Sequence, residues 1–288
     1  MQLGFIGLGH LGTAIAENIL QKQGQLRVYN RTASKAQPLI EKGAVFCNSI
    51  KELASACDIV FSMVSDDTAL NHVTRGNDGI AQNLKRGGTH VCMSTILPAT
   101  SSQLATIHDQ NNNHYIAAPV MGRPEAARAG KLHFLISGNK ESVDKIKPLL
   151  QDAGAAGIWE FGNDVAAANI AKLCNNSLIV SAIESMAEAL NLARKSGIDT
   201  TTWMNMITQS VFAAPIYINY GNILLKEIYQ PAGFTLRLGL KDMNLVMEQS
   251  REVNAEMPVG QLMQKRFNEG VATGLGDHDW TAVAMMLK

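Results

Sequence analysis

A glycine fingerprint near the start of the chain is the feature that most narrows the folds available to it. Gly7, Gly9 and Gly12 form a G-x-G-x-x-G pattern between a short apolar segment and a run with helical spacing. In such a strand–turn–helix unit, the first glycine makes the tight turn and the second admits a pyrophosphate, while the third lets the helix pack on the strand. The sequence therefore predicts a dinucleotide site, with the helix N-terminus facing the phosphates.

Strand-like and helix-like segments alternate along the first half of the chain. This regular alternation indicates a parallel sheet with helices on both faces. Strands are predicted at residues 2–6, 26–29, 44–46, 59–64, 89–93, 115–118, 133–137 and 158–161. Helices are predicted at residues 12–23, 35–42, 50–56, 68–75, 101–110 and 141–152.

The pattern changes after Gly162. Long stretches with helical spacing replace the strand-like segments, at residues 164–196, 201–209, 215–223, 236–252, 258–269 and 280–287. We predict an α/β protein with a Rossmann-type doubly wound sheet at residues 1–162, which binds the dinucleotide. An all-helical domain is predicted to follow it directly, at residues 163–288.

The choice of cofactor is read from the end of the second predicted strand. NAD sites usually carry Asp or Glu there to accept hydrogen bonds from the ribose hydroxyls. This chain has Asn30, Arg31 and Thr32 instead. Without a carboxylate, nothing repels the 2′-phosphate of NADP, which Arg31 can clamp and to which Thr32 can donate a hydrogen bond. We therefore expect NADP rather than NAD.

Lys172 is an unusual charge in an apolar helical run. It is the only basic residue between Asp164 and Ala193. Burial disfavours an ammonium group and lowers the pKa of a lysine, which makes the lysine a usable proton donor near neutral pH. Asn176 follows four residues later and so shares its helical face. The pair indicates a catalytic position, whereas a lysine that only extends to the edge of its helix is the structural alternative.

Composition excludes several classes of partner and site. The formal net charge is zero and no Lys or Arg cluster stands out, so neither nucleic acid nor an anionic membrane is an expected partner. The histidines and cysteines show no metal-ligand spacing, so we expect no metal site and reduced cysteines. A strand from Gln2 leaves no room for a signal peptide, and no apolar run reaches the roughly 18 residues of a membrane span. We therefore expect a cytoplasmic protein.

Motifs along the whole chain support a more specific assignment. They are GFIGLGHLG at residues 4–12, STILP at 94–98, APVMGR at 118–123, the spaced set Gly162, Lys172 and Asn176, and the pair Lys241-Asp242. With these five ordered matches, the chain resembles the β-hydroxyacid dehydrogenase family. That family includes 3-hydroxyisobutyrate dehydrogenases, tartronate semialdehyde reductases, glyoxylate/succinic semialdehyde reductases and, more distantly, 6-phosphogluconate dehydrogenases.

The resemblance implies hydride transfer between a nicotinamide and a hydroxyl or carbonyl carbon. Lys172 would be the general acid in reduction and the base in oxidation, and Asn176 would orient the substrate or the lysine. Thr95 would line the site near the nicotinamide, Phe234 would pack near the cofactor, and Lys241 would help to close the site. The predicted cofactor-binding residues are Gly7, Leu8, Gly9, His10, Leu11, Gly12, Asn30, Arg31, Thr32, Val64, Ser65, Thr95, Phe234 and Lys241.

The substrate loop departs from the family pattern. The family commonly has D-A-P-V-S-G-G, whereas this chain has Met121 in place of the serine and Arg123 in place of the second glycine. The backbone N–H groups of Met121 and Gly122 can still donate, and Arg123 either clamps a carboxylate or points into solvent. The expected substrate is a small carbonyl compound or hydroxy acid of the semialdehyde or glyoxylate type, and a bulkier or less polar carbonyl compound is also compatible. The predicted substrate-binding residues are Thr95, Met121, Gly122, Arg123 and Lys172.

Two other functions remain open at this stage. Imine reductases are similar, but they commonly lack the lysine at this position, so Lys172 argues against that activity. A catalytically silent NADP-binding protein is the other alternative, which the retained Lys172 and Asn176 disfavour and Met121 keeps open. The charged fraction of 17% is low, and family members commonly form dimers or tetramers, so we expect a homodimer or homotetramer. The resemblance implies that the helical domain at residues 163–288 serves for substrate binding and dimerisation.

Overall fold

The computed structural model describes residues 1–287, which fold as two compact units. The first unit is Met1–Lys172 and the second begins at Leu173. The last strand ends at Glu160, close to the residue where the sequence pattern changes. The predicted architecture is confirmed, because a parallel sheet flanked by helices is followed by a helical region.

The strands of the first unit form two sheets. They are β1 (Leu3–Ile6), β2 (Arg27–Tyr29), β3 (Val45–Phe46), β4 (Ile59–Ser62), β5 (Thr89–Cys92), β6 (His114–Ala117), β7 (Val120–Met121), β8 (Leu132–Ile136) and β9 (Ala155–Glu160). The larger sheet has six parallel strands in the order β3-β2-β1-β4-β5-β6. The strand order reverses direction between β1 and β4, and ligands of such sheets bind at this switch point.

Helices connect these strands. They are α1 (His10–Gln23), α2 (Gln37–Ile40), α3 (Ile50–Ala56), α4 (Asp67–Thr74), α5 (Ile80–Asn83), α6 (Pro98–Gln110), α7 (Pro124–Arg128) and α8 (Lys140–Asp152). Buried apolar residues form a cluster on each face of the large sheet. Phe5 and Phe61 belong to one cluster and their neighbours Ile6 and Val60 to the other, because successive side chains of a strand point to opposite faces.

Some details of the first unit differ from the sequence prediction. The strands predicted at 133–137 and 158–161 do not extend the parallel sheet; with β7 they form a separate sheet in the order β7-β8-β9, in which β7 and β8 are antiparallel. The two-residue strand β7 is too short to produce a periodic signal. The helix predicted at 35–42 is a 3-10 turn, Ala33–Ala36, followed by the short helix α2.

The second unit is helical. It contains most of α9 (Val165–Lys195), followed by α10 (Thr200–Gln209), α11 (Pro215–Lys226), α12 (Leu236–Glu252) and α13 (Pro258–Gly270). A π-helical turn (Val271–Leu275) and a 3-10 helix (Trp280–Met286) complete it, the latter where an α-helix was predicted. A Cβ on Gly239 would lie 2.7 Å from the ring of Phe267, so α12 and α13 pack closely at this glycine. Among the described residues, we find no helix with the length and apolar character needed to cross a membrane.

Candidate active site

The glycine loop between β1 and α1 has the geometry of a ligand cradle. Gly7 has a φ of +99°, and a Cβ there would lie 2.2 Å from the carbonyl oxygen of Met63. A Cβ on Gly12 would lie 2.2 Å from the carbonyl oxygen of Gly7, so the helix approaches the loop too closely for any other residue. A Cβ on Gly9 would meet no atom within 4 Å, which leaves open space on that side of the loop.

The N-terminus of α1 suits an anion. Its N-cap is Gly9, which offers no side-chain cap, and the first turn contains no acidic residue. The first N–H groups of a helix have no partner within the helix and lie at the positive end of its dipole. His10 is exposed and Leu11 half-buried, whereas Leu8 is buried in the core. The residues present therefore fit the pyrophosphate of a dinucleotide.

Asn30 holds the glycine loop in place. Its Oδ1 accepts a hydrogen bond from the backbone N–H of Leu8 at 2.9 Å, and its Nδ2 donates to the carbonyl oxygen of Thr32 at 2.9 Å. Both ends of this amide thus form hydrogen bonds within the protein. The sequence did not suggest that Asn30 joins β2 to the glycine loop. The side chains of Arg31 and Thr32 are exposed at the carboxyl end of β2.

Val64, Ser65 and Thr95 follow β4 and β5 at the same edge of the sheet, because the strands are parallel. The backbone N–H of Val64 donates to the Oγ of buried Ser94 at 2.8 Å, which joins the ends of the two strands. Ser65 is exposed and donates to a carboxylate oxygen of Asp66, and Thr95 is half-buried. The structure thus places these predicted residues near the strand ends at which ligands of such sheets bind.

A chain of buried hydrogen bonds begins at the end of β4. Ser62 Oγ lies 2.7 Å from His90 Nε2, His90 Nδ1 lies 3.0 Å from His108 Nε2, and His108 Nδ1 lies 2.5 Å from Asn113 Oδ1. Because Asn113 Nδ2 donates to the carbonyl oxygen of Ala81, its Oδ1 accepts from His108, and both rings carry their proton on Nδ1. Burial lowers the pKa of His90 well below its usual value, with His108 adding to the shift, and lowers the pKa of His108 to about 4.

The altered substrate loop connects β7 to α7. Gly122 has a φ of +143°, and a Cβ there would lie 2.5 Å from Leu132 Cδ2, so this position requires glycine. Met121 is half-buried and packs against the core cluster that contains Ala168 of α9. Arg123 is half-buried and occupies the N-cap of α7. A role for either side chain in substrate binding stays a prediction.

Lys172 is buried, with 8% of its surface exposed, in the second turn of α9. The first turn is fixed by Ser137, whose hydroxyl donates to the carbonyl oxygen of Val165 at 2.9 Å and accepts from the N–H of Ala168 at 3.1 Å. Asn169 donates from Nδ2 to Ser101 Oγ at 2.7 Å, a contact that the sequence analysis missed. A polar residue three positions before Lys172, on the same helical face, is a signal that marks Asn169 as a candidate but does not identify Ser101 as its partner.

Asn176 belongs to a buried polar group within the helical unit. Its Nδ2 donates to Asp242 Oδ2 at 2.7 Å. Asp242 Oδ1 lies 2.6 Å from Lys241 Nζ, as an ion pair rather than a well-aligned hydrogen bond. The contact of Asn176 with Asp242 depends on how the helices pack, so no pattern in the sequence predicted it. Orientation of a substrate or of Lys172 by Asn176 stays a prediction.

Phe234 lies in the loop before α12. Its ring packs edge-on against Trp280 with ring centroids 4.7 Å apart, and its carbonyl oxygen accepts from the N–H of Trp280 at 2.9 Å. Packing of Phe234 against a cofactor stays a prediction. Among residues 1–287, no group of three or more His, Cys, Asp or Glu side chains is arranged to hold a metal ion.

Both halves of the chain match known protein families. Residues 2–165 match the NAD binding domain of 6-phosphogluconate dehydrogenase, and residues 166–287 match the NAD-binding domain of NADP-dependent 3-hydroxyisobutyrate dehydrogenase. These two matches run consecutively through the α/β and the helical parts of the chain. They identify the glycine loop as part of a domain that binds a nicotinamide cofactor.

Individual proteins are similar over the whole length. The uncharacterized oxidoreductase YfjR of Bacillus subtilis (strain 168) is 37% identical over 288 residues, which cover 100% of both chains. Glyoxylate/succinic semialdehyde reductase 2, chloroplastic, of Arabidopsis thaliana is 30% identical over 100% of this chain and 80% of its own length. The solved structure of Psf3 in complex with NADP+ and 2-OPP has a TM-score of 0.91 at 25% identity, covering 99% of this chain and 100% of that one.

Proposed function

Because the chain belongs to the β-hydroxyacid dehydrogenase family of NAD(P)-dependent dehydrogenases and reductases, we propose that it is an NADPH-dependent reductase of small carbonyl compounds. The observation that carries this proposal is the burial of Lys172, in a chain that also holds an intact glycine loop. Imine reductases commonly lack a lysine there, so Lys172 favours reduction of a carbonyl group over that of an imine.

The glycine loop and the end of β2 would hold the cofactor. The N–H groups at the start of α1 would bind the pyrophosphate, with Gly9 leaving space for its approach. Arg31 and Thr32 would bind the 2′-phosphate, since both are exposed and Asn30 beside them is an uncharged amide. The similar protein Psf3 was solved in complex with NADP+, which supports the same preference.

Lys172 would supply the proton of the reaction. When bound, the cofactor supplies the hydride that the carbonyl carbon accepts. Lys172 would donate a proton from Nζ to the carbonyl oxygen, which becomes the hydroxyl of the product, and would take the proton back in the oxidation. Burial of Lys172 would limit the access of water, so that a proton held at Nζ would be directed to a bound substrate.

We propose short aldehydes that carry a carboxylate, such as glyoxylate and succinic semialdehyde, as the substrate class. Support comes from the activity for which the Arabidopsis relative is named and from Arg123, which can form a bidentate pair with a carboxylate. Met121 replaces a hydroxyl with a thioether, so the carboxylate would depend on Arg123 and on the N–H groups of Met121 and Gly122. Thr95 would complete this set.

Two further properties belong to the proposal. Leu178 and Leu192 on α9 are 70% and 69% exposed, which supports burial of this helix between subunits of a homodimer or homotetramer. The cysteines Cys47, Cys57, Cys92 and Cys174 are all unpaired thiols, which supports a reducing compartment such as the cytoplasm.

A substrate panel with a lysine variant tests the function. Purified protein would be mixed with NADPH and, in turn, glyoxylate, succinic semialdehyde, α-keto acids, ketones and cyclic imines, with NADPH oxidation followed by absorbance. We expect turnover of the aldehydes, lowered by at least about 100-fold in Lys172→Met. Lys195→Met is the matched control, because Lys195 is exposed at the end of the same helix. Tight NADPH binding without turnover of any compound would contradict the proposal.

A further inference from the structure

Asn169, Lys172 and Asn176 lie on one face of α9. They are three and four residues apart, which places their side chains in a single row along the helix. All three side chains are buried. The point from which the side chain of Lys172 leaves the helix therefore depends on how this row is rotated about the helix axis.

Most of the residues around the start of α9 cannot fix that rotation. Ala166, Ala167 and Ala168 present only methyl groups, whose contacts are non-directional and allow small rotations and shifts at little cost. Ser137 fixes the backbone of the first turn through Val165 and Ala168. Asn176 has a directional contact with Asp242 one turn beyond Lys172, so a directional contact on the other side of Lys172 is what would fix the second turn.

Asn169 supplies that contact. Asn169 is 1% exposed, and its amide donates from Nδ2 to Ser101 Oγ at 2.7 Å. Ser101 is completely buried in α6, and its Oγ lies 3.1 Å from the hydroxyl oxygen of Tyr115 on β6. The second turn of α9 is thus hydrogen-bonded to α6 and, through Ser101, to strand β6 of the six-stranded sheet in the same unit.

We propose that Asn169 and Ser101 are positioning residues that hold Lys172 at the distance and angle required for proton transfer. The inference rests on the proposed function of Lys172 as proton donor. Neither residue touches a reacting atom; both act through the lysine. Displacement of a catalytic group by about 1 Å can reduce the rate by about 100-fold, so one lost bond at the base of the second turn has a measurable effect.

Alanine variants test the positioning role. With glyoxylate and succinic semialdehyde, Asn169→Ala and Ser101→Ala should each lower kcat by about 10- to 100-fold, while the Kd of NADPH stays within about twofold of wild type. The double variant should be no slower than the worse single variant, because both substitutions break the same bond. Asn83→Ala is the matched control. Asn83 Nδ2 donates to the carbonyl oxygens of Asn77 and Gly79, far along the chain from α9, so the kcat of this variant should equal that of wild type.

A second measurement does not depend on activity. Hydrogen exchange measured by mass spectrometry on peptides that span residues 165–176 should be about tenfold faster in Asn169→Ala and unchanged in Asn83→Ala. Unchanged exchange would overturn the anchoring. Wild-type kcat in Asn169→Ala, with Lys172→Met inactive, would overturn the positioning role and leave the proposed function intact. A wild-type protein that reduces no carbonyl compound would overturn both.

Discussion

The side chain of Asn30 accepts a hydrogen bond from the backbone N–H of Leu8, with 2.9 Å between Oδ1 and N. This bond joins the end of β2 to the loop that follows β1. It also places an uncharged amide where enzymes that use NAD usually have a carboxylate. Asn30 therefore contacts the loop without placing a negative charge there, and we predict that the choice between the two cofactors depends on the exposed side chain of Arg31.

Arg31→Ala should reduce the preference for NADPH. Loss of a charge-assisted hydrogen bond costs about 1.5–3 kcal/mol, so we expect the Kd of NADPH to rise by about 10- to 100-fold. The Kd of NADH should change little, because NADH lacks the 2′-phosphate. Fluorescence titration with both cofactors measures this difference. Arg86→Ala is the control, since Arg86 is exposed just before the amino end of β5, whereas Arg31 follows the carboxyl end of β2. An equal effect in both variants would contradict the assignment of Arg31.

Two glycines of the same loop should respond differently to alanine. A Cβ on Gly9 meets no protein atom, and its φ of −78° suits any residue, so Gly9→Ala should fold with a normal Tm and bind NADPH much more weakly. A Cβ on Gly12 would lie 2.2 Å from the carbonyl oxygen of Gly7, so Gly12→Ala should lower the Tm of the cofactor-free protein. Thermal unfolding with and without NADPH separates the two effects. Normal NADPH binding by Gly9→Ala would show that the open side of the loop is not the cofactor side.

The sequence predicted the local elements better than their pairing. Alternating patterns located the strands of the parallel sheet, because each buried strand carries its own apolar run. Which strands become neighbours depends on contacts distant in the chain. The antiparallel pairing of β7 with β8 therefore could not be derived from the pattern, and β7 itself, Val120–Met121, has too few residues to be recognised.

In the candidate site too, local patterns predicted single residues but not their distant partners. Gly7, Gly9 and Gly12 were identified because a motif states their physical roles at fixed spacing. Leu8, which donates to Asn30, lies 22 residues from it, and Ser101, which accepts from Asn169, lies 68 residues from it, so no local pattern reports these contacts. The contact of Asn176 with Asp242 likewise spans 66 residues and exists only because α9 and α12 are neighbours. Spacing can identify a side chain with a chemical role, but not the group that holds it.

The buried histidines should make the stability of the protein depend on pH. Burial lowers the pKa of His108 from 6.5 to about 4. Between these values the unfolded chain binds a proton that the folded protein does not, so the free energy of unfolding falls as pH falls. The stabilising contribution is complete above pH 6.5 and is lost towards pH 4. At about 1.36 kcal/mol per pKa unit, His108 accounts for a loss of roughly 2 kcal/mol between pH 7.5 and pH 5.

Urea unfolding of His108→Gln at these two pH values measures this contribution. Glutamine can donate and accept a hydrogen bond in place of the ring but does not titrate. The stability difference between wild type and His108→Gln should therefore narrow by about 2 kcal/mol from pH 7.5 to pH 5. His72→Gln, at an exposed position of α4, is the matched control and should show no such change. A difference that is the same at both pH values would show that His108 is not held in its neutral form.

Lys241 should stabilise the helical unit by compensating a buried charge. Asp242 is 2% exposed, and Lys241→Met would remove the ammonium group paired with its carboxylate while keeping most of the apolar stem. Removal of one partner of a buried pair costs about 3–5 kcal/mol, and the partial exposure of Lys241 reduces this to about 2–4 kcal/mol.

The double variant Lys241→Met with Asp242→Asn should recover at least half of this loss. An asparagine at 242 carries no charge, yet its side-chain oxygen can still accept the hydrogen bond from Asn176. Differential scanning calorimetry of wild type, the single variant and the double variant measures the recovery. Lys265→Met is the control, since Lys265 and Glu269 form an exposed pair at 3.9 Å whose loss should cost less than about 1 kcal/mol. If Lys241→Met destabilised the protein no more than Lys265→Met, Asp242 would not depend on Lys241 for its charge compensation.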